Sequence, residues 1–84
     1  MKTNVIAVDF DGILWDEENK KVIEKGKNKC NNLFDKNLII IYTARRWERF
    51  FEVMEILDSN QIKYHAIVCE KLEADMYIDD KNEI

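Results

Sequence analysis

Short apolar runs separated by stretches of helical periodicity constrain the fold of this chain more than any other feature. Val5-Ile6-Ala7-Val8 is β-branched and stops at Asp9, the pattern of a strand buried on both faces. Leu38-Ile39-Ile40-Ile41-Tyr42 is the strongest strand signal, Tyr64-His65-Ala66-Ile67-Val68 is a third, and Met76-Tyr77-Ile78 is a short fourth. Between the first two runs, Val22, Cys30, Leu33 and Phe34 recur at one or two helical turns. They predict an amphipathic helix beginning near Gly26 and reaching Asn37. Trp47, Phe50, Phe51, Met54 and Leu57 predict a second helix that ends near Asn60 and turns its aromatic stripe into the core. A β-α-β-α order implies parallel strands joined by right-handed crossovers. The expected class is therefore α/β: a three-layer fold around a parallel sheet of about four strands.

One domain, residues 1–84, accounts for the whole chain. There is no proline, no repeat and no low-complexity linker, and the only glycines are Gly12 and Gly26. At this length only ~60% of the unfolded surface is hidden on folding, yet 46% of the residues are hydrophobic, enough for a small core. The apolar run at 38–42 is far too short to span a bilayer, so no membrane partner is expected. The opening Met1-Lys2-Thr3-Asn4 lacks the pattern of a secretory leader, which leads to the expectation of a cytoplasmic protein. Cys30 and Cys69 fall in different elements, with neither disulfide-framework nor metal-pair spacing, and are expected reduced. A net charge of −4 argues against a nucleic-acid backbone as the main partner, while a few local cations are enough to hold a nucleotide.

In open parallel sheets, ligands bind beyond the carboxyl ends of the strands, so the residues that follow each apolar run form one set. Here they are Asp9-Phe10-Asp11-Gly12, Thr43-Ala44-Arg45, Glu70-Lys71 and Asp79-Asp80. Four acids on one edge would repel one another without a cation, and Mg2+, a hard ion, takes carboxylate and phosphate oxygens. Asp9 with the Asp79-Asp80 pair supplies such ligands. A phosphate monoester is the matching substrate. Asp9 would attack phosphorus to give an acyl-phosphate, and Asp11 would protonate the leaving oxygen and later take a proton from water. Lys71 would balance charge on nucleophile and phosphate. The Thr43 hydroxyl, with the backbone of Ala44 and Arg45, would donate hydrogen bonds to the phosphate. Gly12 lets the chain turn away from the two carboxylates.

These residues, in this order, resemble the four motifs of the haloacid dehalogenase superfamily, and the resemblance spans nearly the whole chain. The stretch from Lys71 to Asp80 is similar to the end of its small, capless, phosphatase-like members. The resemblance implies a minimal Rossmann-like core without a cap domain, with Asp9 as nucleophile and Asp11 as general acid/base. It also implies a magnesium site formed by Asp9, the backbone carbonyl of Asp11, and Asp80 with Asp79 behind it. Lys71 is the expected lysine, with Lys63 and Lys81 as other candidates. The implied partner is a phosphorylated small molecule or polymer end, because specificity in this family comes largely from cap insertions and neither connecting stretch is long enough to hold one.

Other readings compete at single positions. Thr43 can cap the helix that carries Trp47. Arg45 and Arg46 read as solvated ahead of direct substrate contact, and Trp15 as a packing or oligomer residue of a flap after Gly12. His65, mid-strand, reads as structural, and Cys69 as an inert thiol. A receiver-like signalling domain uses similar residue types, but it expects its acid pair first and its phosphorylated aspartate after the third strand, where this chain has none. A non-catalytic binding module on the same fold is the remaining alternative. The small core, together with Trp15 and the aromatic surplus of the second helix, motivates a homo-oligomer.

Overall fold

The computed structural model of the chain describes residues 3–70. In chain order the elements are β1 (Asn4–Asp9), a hairpin of β2 (Trp15–Asp16) and β3 (Lys21–Val22), α1 (Glu24–Phe34), β4 (Asn37–Tyr42), a 3-10 turn (Trp47–Arg49), α2 (Phe50–Ser59) and β5 (Ala66–Val68). β1 and β4 pair in parallel from Asn4↔Asn37 to Asp9↔Tyr42. β5 adds to the other side of β4, also in parallel, from Ile40↔Ala66 to Tyr42↔Val68. The main sheet is thus ordered β1-β4-β5, and both crossovers step in the same direction. Crossovers of one hand that step the same way place their helices on the same face. Burial agrees: Ile39 and Ile41 are fully covered, whereas Val5 is 61% and Leu38 45% exposed. β1 is therefore not buried on both faces, because among the described residues only one face of the sheet carries helices. The fourth expected strand, residues 76–78, lies outside the described residues.

The core under that face gathers Phe10, Leu14, Cys30, Ile39, Ile41, Val53, Leu57 and Ile62. α1 begins two residues before Gly26 and ends at Phe34, three short of Asn37, whose side-chain amide donates to the Leu33 carbonyl at 2.8 Å. That bond satisfies one of the carbonyls a helix end leaves open. α2 departs from expectation in its aromatic stripe. Val53 and Leu57, one turn apart, are its buried pair. Phe51, two positions before Val53, falls on the opposite side of a 3.6-residue helix and is 72% exposed, and Trp47 is 49% exposed. Phe50 is half-buried between them and touches both rings, at 6.0 Å from Trp47 and 5.4 Å from Phe51. The third strand is also shorter than its apolar run. His65 lies just ahead of β5, where its backbone N–H donates to the Ile39 carbonyl and its Nδ1 accepts from Ile39 N–H at 2.9 Å. Its ring stacks on Phe34 at 4.3 Å. The histidine thus acts as a clip between β4 and the approach to β5.

The hairpin follows from the turn at Gly12, which holds φ +91°, a conformation open to glycine and strained for other residues. The N–H groups of Leu14 and Trp15 both reach back to the Phe10 carbonyl. At the far turn both Asp16 oxygens accept from Asn19, a side-chain-stabilised turn of the kind aspartate favours. Gly26 then fixes how closely α1 approaches this segment, since a Cβ there would collide with the Ile13 backbone carbonyl. Alanine favours a helix by up to about 1 kcal/mol over glycine, but relieving an overpacked backbone contact costs about 1–3 kcal/mol. Gly26→Ala is therefore expected to lower the urea midpoint, and an unchanged or raised midpoint would contradict this close approach.

Candidate functional site

Parallel pairing brings the carboxyl ends of β1, β4 and β5 to one edge. Asp9 stands level with Tyr42, and Tyr42 with Val68. Beyond the ladder the chain remains tied across that edge: Phe10 N–H donates to the Tyr42 carbonyl at 2.9 Å, Thr43 N–H to Val68 at 3.0 Å, and Glu70 N–H to Arg45 at 2.8 Å. Strand alternation sends Phe10 into the core, where it is fully buried, and leaves its neighbours Asp9 and Asp11 half-buried at the rim.

Arg45 occupies the centre of this rim, although its side chain is only 7% exposed. Its Nε donates to Asp11 Oδ2 at 3.0 Å and its Nη2 to Asp11 Oδ1 at 2.8 Å, a two-point fork of the strong kind. Nη2 also faces Glu17 Oε1 at 3.1 Å, and Nη1 faces Glu52 Oε1 at 3.4 Å. Nη1 is buried and makes no hydrogen bond among the described residues. The guanidinium carbon lies 5.2 Å from the centre of the Phe10 ring, within cation–π range, and Phe10 in turn stacks against Trp15 at 6.5 Å. The bond to Asp11 raises the Arg45 pKa further, with burial opposing. Arg45 is thus not a solvated residue. Three carboxylates converge on it, and a buried cation is stable only when it is paired in this way.

Thr43 is fully buried and does not cap the helix that follows. Its Oγ1 accepts from Arg45 N–H at 3.1 Å and donates to Asp11 Oδ2 at 3.4 Å. Glu70 takes the helix position instead, accepting from Trp47 N–H at 3.1 Å. Ala44 is exposed and Gly12 is exposed, with nothing within 4 Å of a Cβ built on Gly12. Cys69 is buried, and burial together with Glu70 raises its thiol pKa, in keeping with an inert residue. Trp15 packs on Phe10 and donates to Glu17 Oε1 at 2.9 Å. Of the expected site residues, Asp9, Asp11, Gly12, Thr43, Ala44 and Arg45 share this edge, while Lys71, Asp79 and Asp80 lie outside the described residues. No group of three His, Cys, Asp or Glu side chains suited to a metal ion occurs among the described residues.

Glu17 and Glu52 were not legible as site residues. Each reads locally as a surface acid, and only the fold brings them to Arg45 from the hairpin and from α2. Comparison with known proteins found no matching family model, no matching curated protein and no matching solved structure. No helix among the described residues is long and apolar enough to cross a membrane.

The Glu17 carboxyl is lowered from an ordinary 4.5 to about 2, first by its bond with Lys20, then by Trp15 and Arg45. A lowered carboxyl contributes stability that is complete above the ordinary value and is lost as pH falls toward the folded value. Thermal midpoints measured from about pH 5 down to about 2 should therefore fall less steeply in Glu17→Gln than in the parent. Parallel curves would mean that Glu17 is unpaired in solution.

Proposed function

We propose that this chain is a phosphomonoesterase working through a covalent aspartyl-phosphate on Asp9, a small hydrolase of the haloacid dehalogenase type. The observation that carries the reading is the register of β1 with β4, which sets Asp9 and Asp11 beside Thr43 at the carboxyl edge of a parallel sheet. The finer fold reading belongs with it: a Rossmann-like core in which residues 76–78 add a fourth strand and bring Asp79 and Asp80 to the same edge, within a three-layer arrangement.

In this mechanism an Asp9 oxygen attacks phosphorus, forming a carboxyl–phosphate bond as the ester oxygen leaves. Asp11 supplies a proton to that oxygen. Water then attacks the same phosphorus, Asp11 takes its proton, and the Asp9–phosphate bond breaks to release inorganic phosphate. The backbone N–H of the exposed Ala44 orients the phosphate and Lys71 pairs with nucleophile and phosphate. The Thr43 hydroxyl and the Arg45 N–H, which bond to Asp11 and to Thr43 in the free chain, join them by exchanging those partners for phosphate oxygens. The donor set proposed for Mg2+ is all oxygen, as a hard cation requires: Asp9, the backbone carbonyl of Asp11, Asp79 and Asp80. The Asp11 carboxylate is engaged by Arg45, so in this reading Asp11 would meet the ion through its backbone carbonyl. When bound, the ion neutralises charge between the carboxylates and the phosphate.

A receiver-like domain or a non-catalytic module is separated from this reading by one assay. Release of phosphate from p-nitrophenyl phosphate should require Mg2+ and stop with EDTA. Asp9→Asn should abolish turnover while leaving the melting temperature within a few degrees of the parent, because the nucleophile is lost with little change in volume. Turnover retained in Asp9→Asn would overturn the covalent mechanism.

A further inference from the structure

The geometry points to Arg45 as the positioning residue for Asp11, pinning one edge of that carboxylate for proton transfer and linking its aim to the β2–β3 hairpin through Glu17. The inference rests on the phosphatase reading above and gives that site a part the motifs do not assign.

Two roles compete for Arg45, substrate phosphate ligand and positioning residue, and the contacts decide between them. A phosphate ligand should present open N–H donors to the site. Here Nε and Nη2 are both committed to Asp11 and Nη2 also meets Glu17, while Nη1, which makes no hydrogen bond among the described residues, is buried 3.4 Å from Glu52 rather than open to the site. Three carboxylates around the guanidinium would repel a phosphate dianion. The contacts instead hold the guanidinium plane still. Phe10 lies against it at 5.2 Å, the Arg45 backbone N–H donates to Thr43 Oγ1, and the Arg45 carbonyl receives the Glu70 N–H. Asp11, by contrast, keeps its side chain 41% exposed. A rigid buried fork thus holds a carboxylate whose remaining surface faces water, so that the direction from which it meets a proton is fixed. Thr43 adds a third bond to the Asp11 carboxylate, at Oδ2.

The hairpin joins the device because Glu17 sits in the turn between β2 and β3. Its Oε1 accepts from Trp15 Nε1 and pairs with Arg45 Nη2, while Oε2 pairs with Lys20 at 2.8 Å. The cation that aims Asp11 therefore also fastens the loop lying next to it.

Proton uptake from water by Asp11 belongs to the second step, in which the oxygen–phosphorus bond to Asp9 breaks as water adds to phosphorus. Loss of aim should slow that step and leave the first step intact for a leaving group that needs no proton. The test is pre-steady-state hydrolysis of p-nitrophenyl phosphate with Mg2+ by the parent, Arg45→Lys and Glu17→Gln. Lysine keeps a positive charge among the three acids but cannot form the two-point fork. Arg45→Lys should show at least about a tenfold lower kcat, a burst of nitrophenol with accumulated acyl-phosphate, and KM within about twofold of the parent. Glu17→Gln, the variant retained should Arg45→Lys fail to fold, should shift kcat the same way by a smaller factor. A raised KM with kcat unchanged would make Arg45 a phosphate ligand and overturn the proposal, and kinetics equal to the parent in both variants would reduce Arg45 to a structural clamp and overturn it too. A parent with no turnover on any ester would remove the phosphatase reading, and this inference with it.

Discussion

The parallel register between β1 and β4 is the constraint on which the rest of the arrangement depends. With Asp9 level with Tyr42, the residues that leave the two strands emerge side by side: Phe10 and Asp11 from one, Thr43 and Arg45 from the other. A slip of a single residue would exchange the two faces of a strand, expose Ile39 and Ile41, and carry Asp11 away from Arg45. The register is held by hydrophobic burial on one face, where Ile39 and Ile41 are completely covered. Core and site are thus secured by the same pairing, and at the rim the backbone bond from Phe10 to Tyr42 extends it by one residue.

Around that pairing, Arg45 organises the rim electrostatically. Placing a guanidinium under 7% exposure is unfavourable unless its charge is answered, and the fold answers it three times, from the turn after β1, from the hairpin and from α2. Glu52 is itself lowered, first by its bond with Arg49, so the cluster is a chain of alternating charges rather than one pair. Such a network makes the orientation of Asp11 and the position of the hairpin depend on the same cation. Phe10 couples it to the core, since its fully buried ring belongs to the core cluster and also meets the guanidinium at 5.2 Å.

The two faces of the sheet are unequal. One is sealed by α1, α2 and the hairpin segment around Leu14. The other displays Val5 and Leu38, which are register partners, so the exposed apolar surface is continuous across β1 and β4. Trp47 and Phe51 add apolar area near the start of α2. The aromatic content of this helix was visible in the sequence, but its direction was not. The periodicity that places Val53 and Leu57 inward necessarily turns Phe51 outward.

What the sequence determined by itself was the order of β1, β4 and β5 with a helix between each, and where those three strands end; the β2–β3 hairpin was not among its expectations. Both rest on local signals: β-branched runs, helical spacing, and a glycine at the turn after Asp11. Those signals were enough to set Asp9, Asp11, Thr43 and Arg45 at the ends of two strands that the β-α-β order makes parallel. Only the tertiary structure decided what those side chains do to one another. That Arg45 is buried and forked onto Asp11, that Glu17 and Glu52 join it, and that Glu70 rather than Thr43 receives the first N–H of the 3-10 turn are all pairings between separate elements. They join residues of separate elements, and an ion pair leaves no trace in composition or periodicity until folding brings its partners within reach of one another.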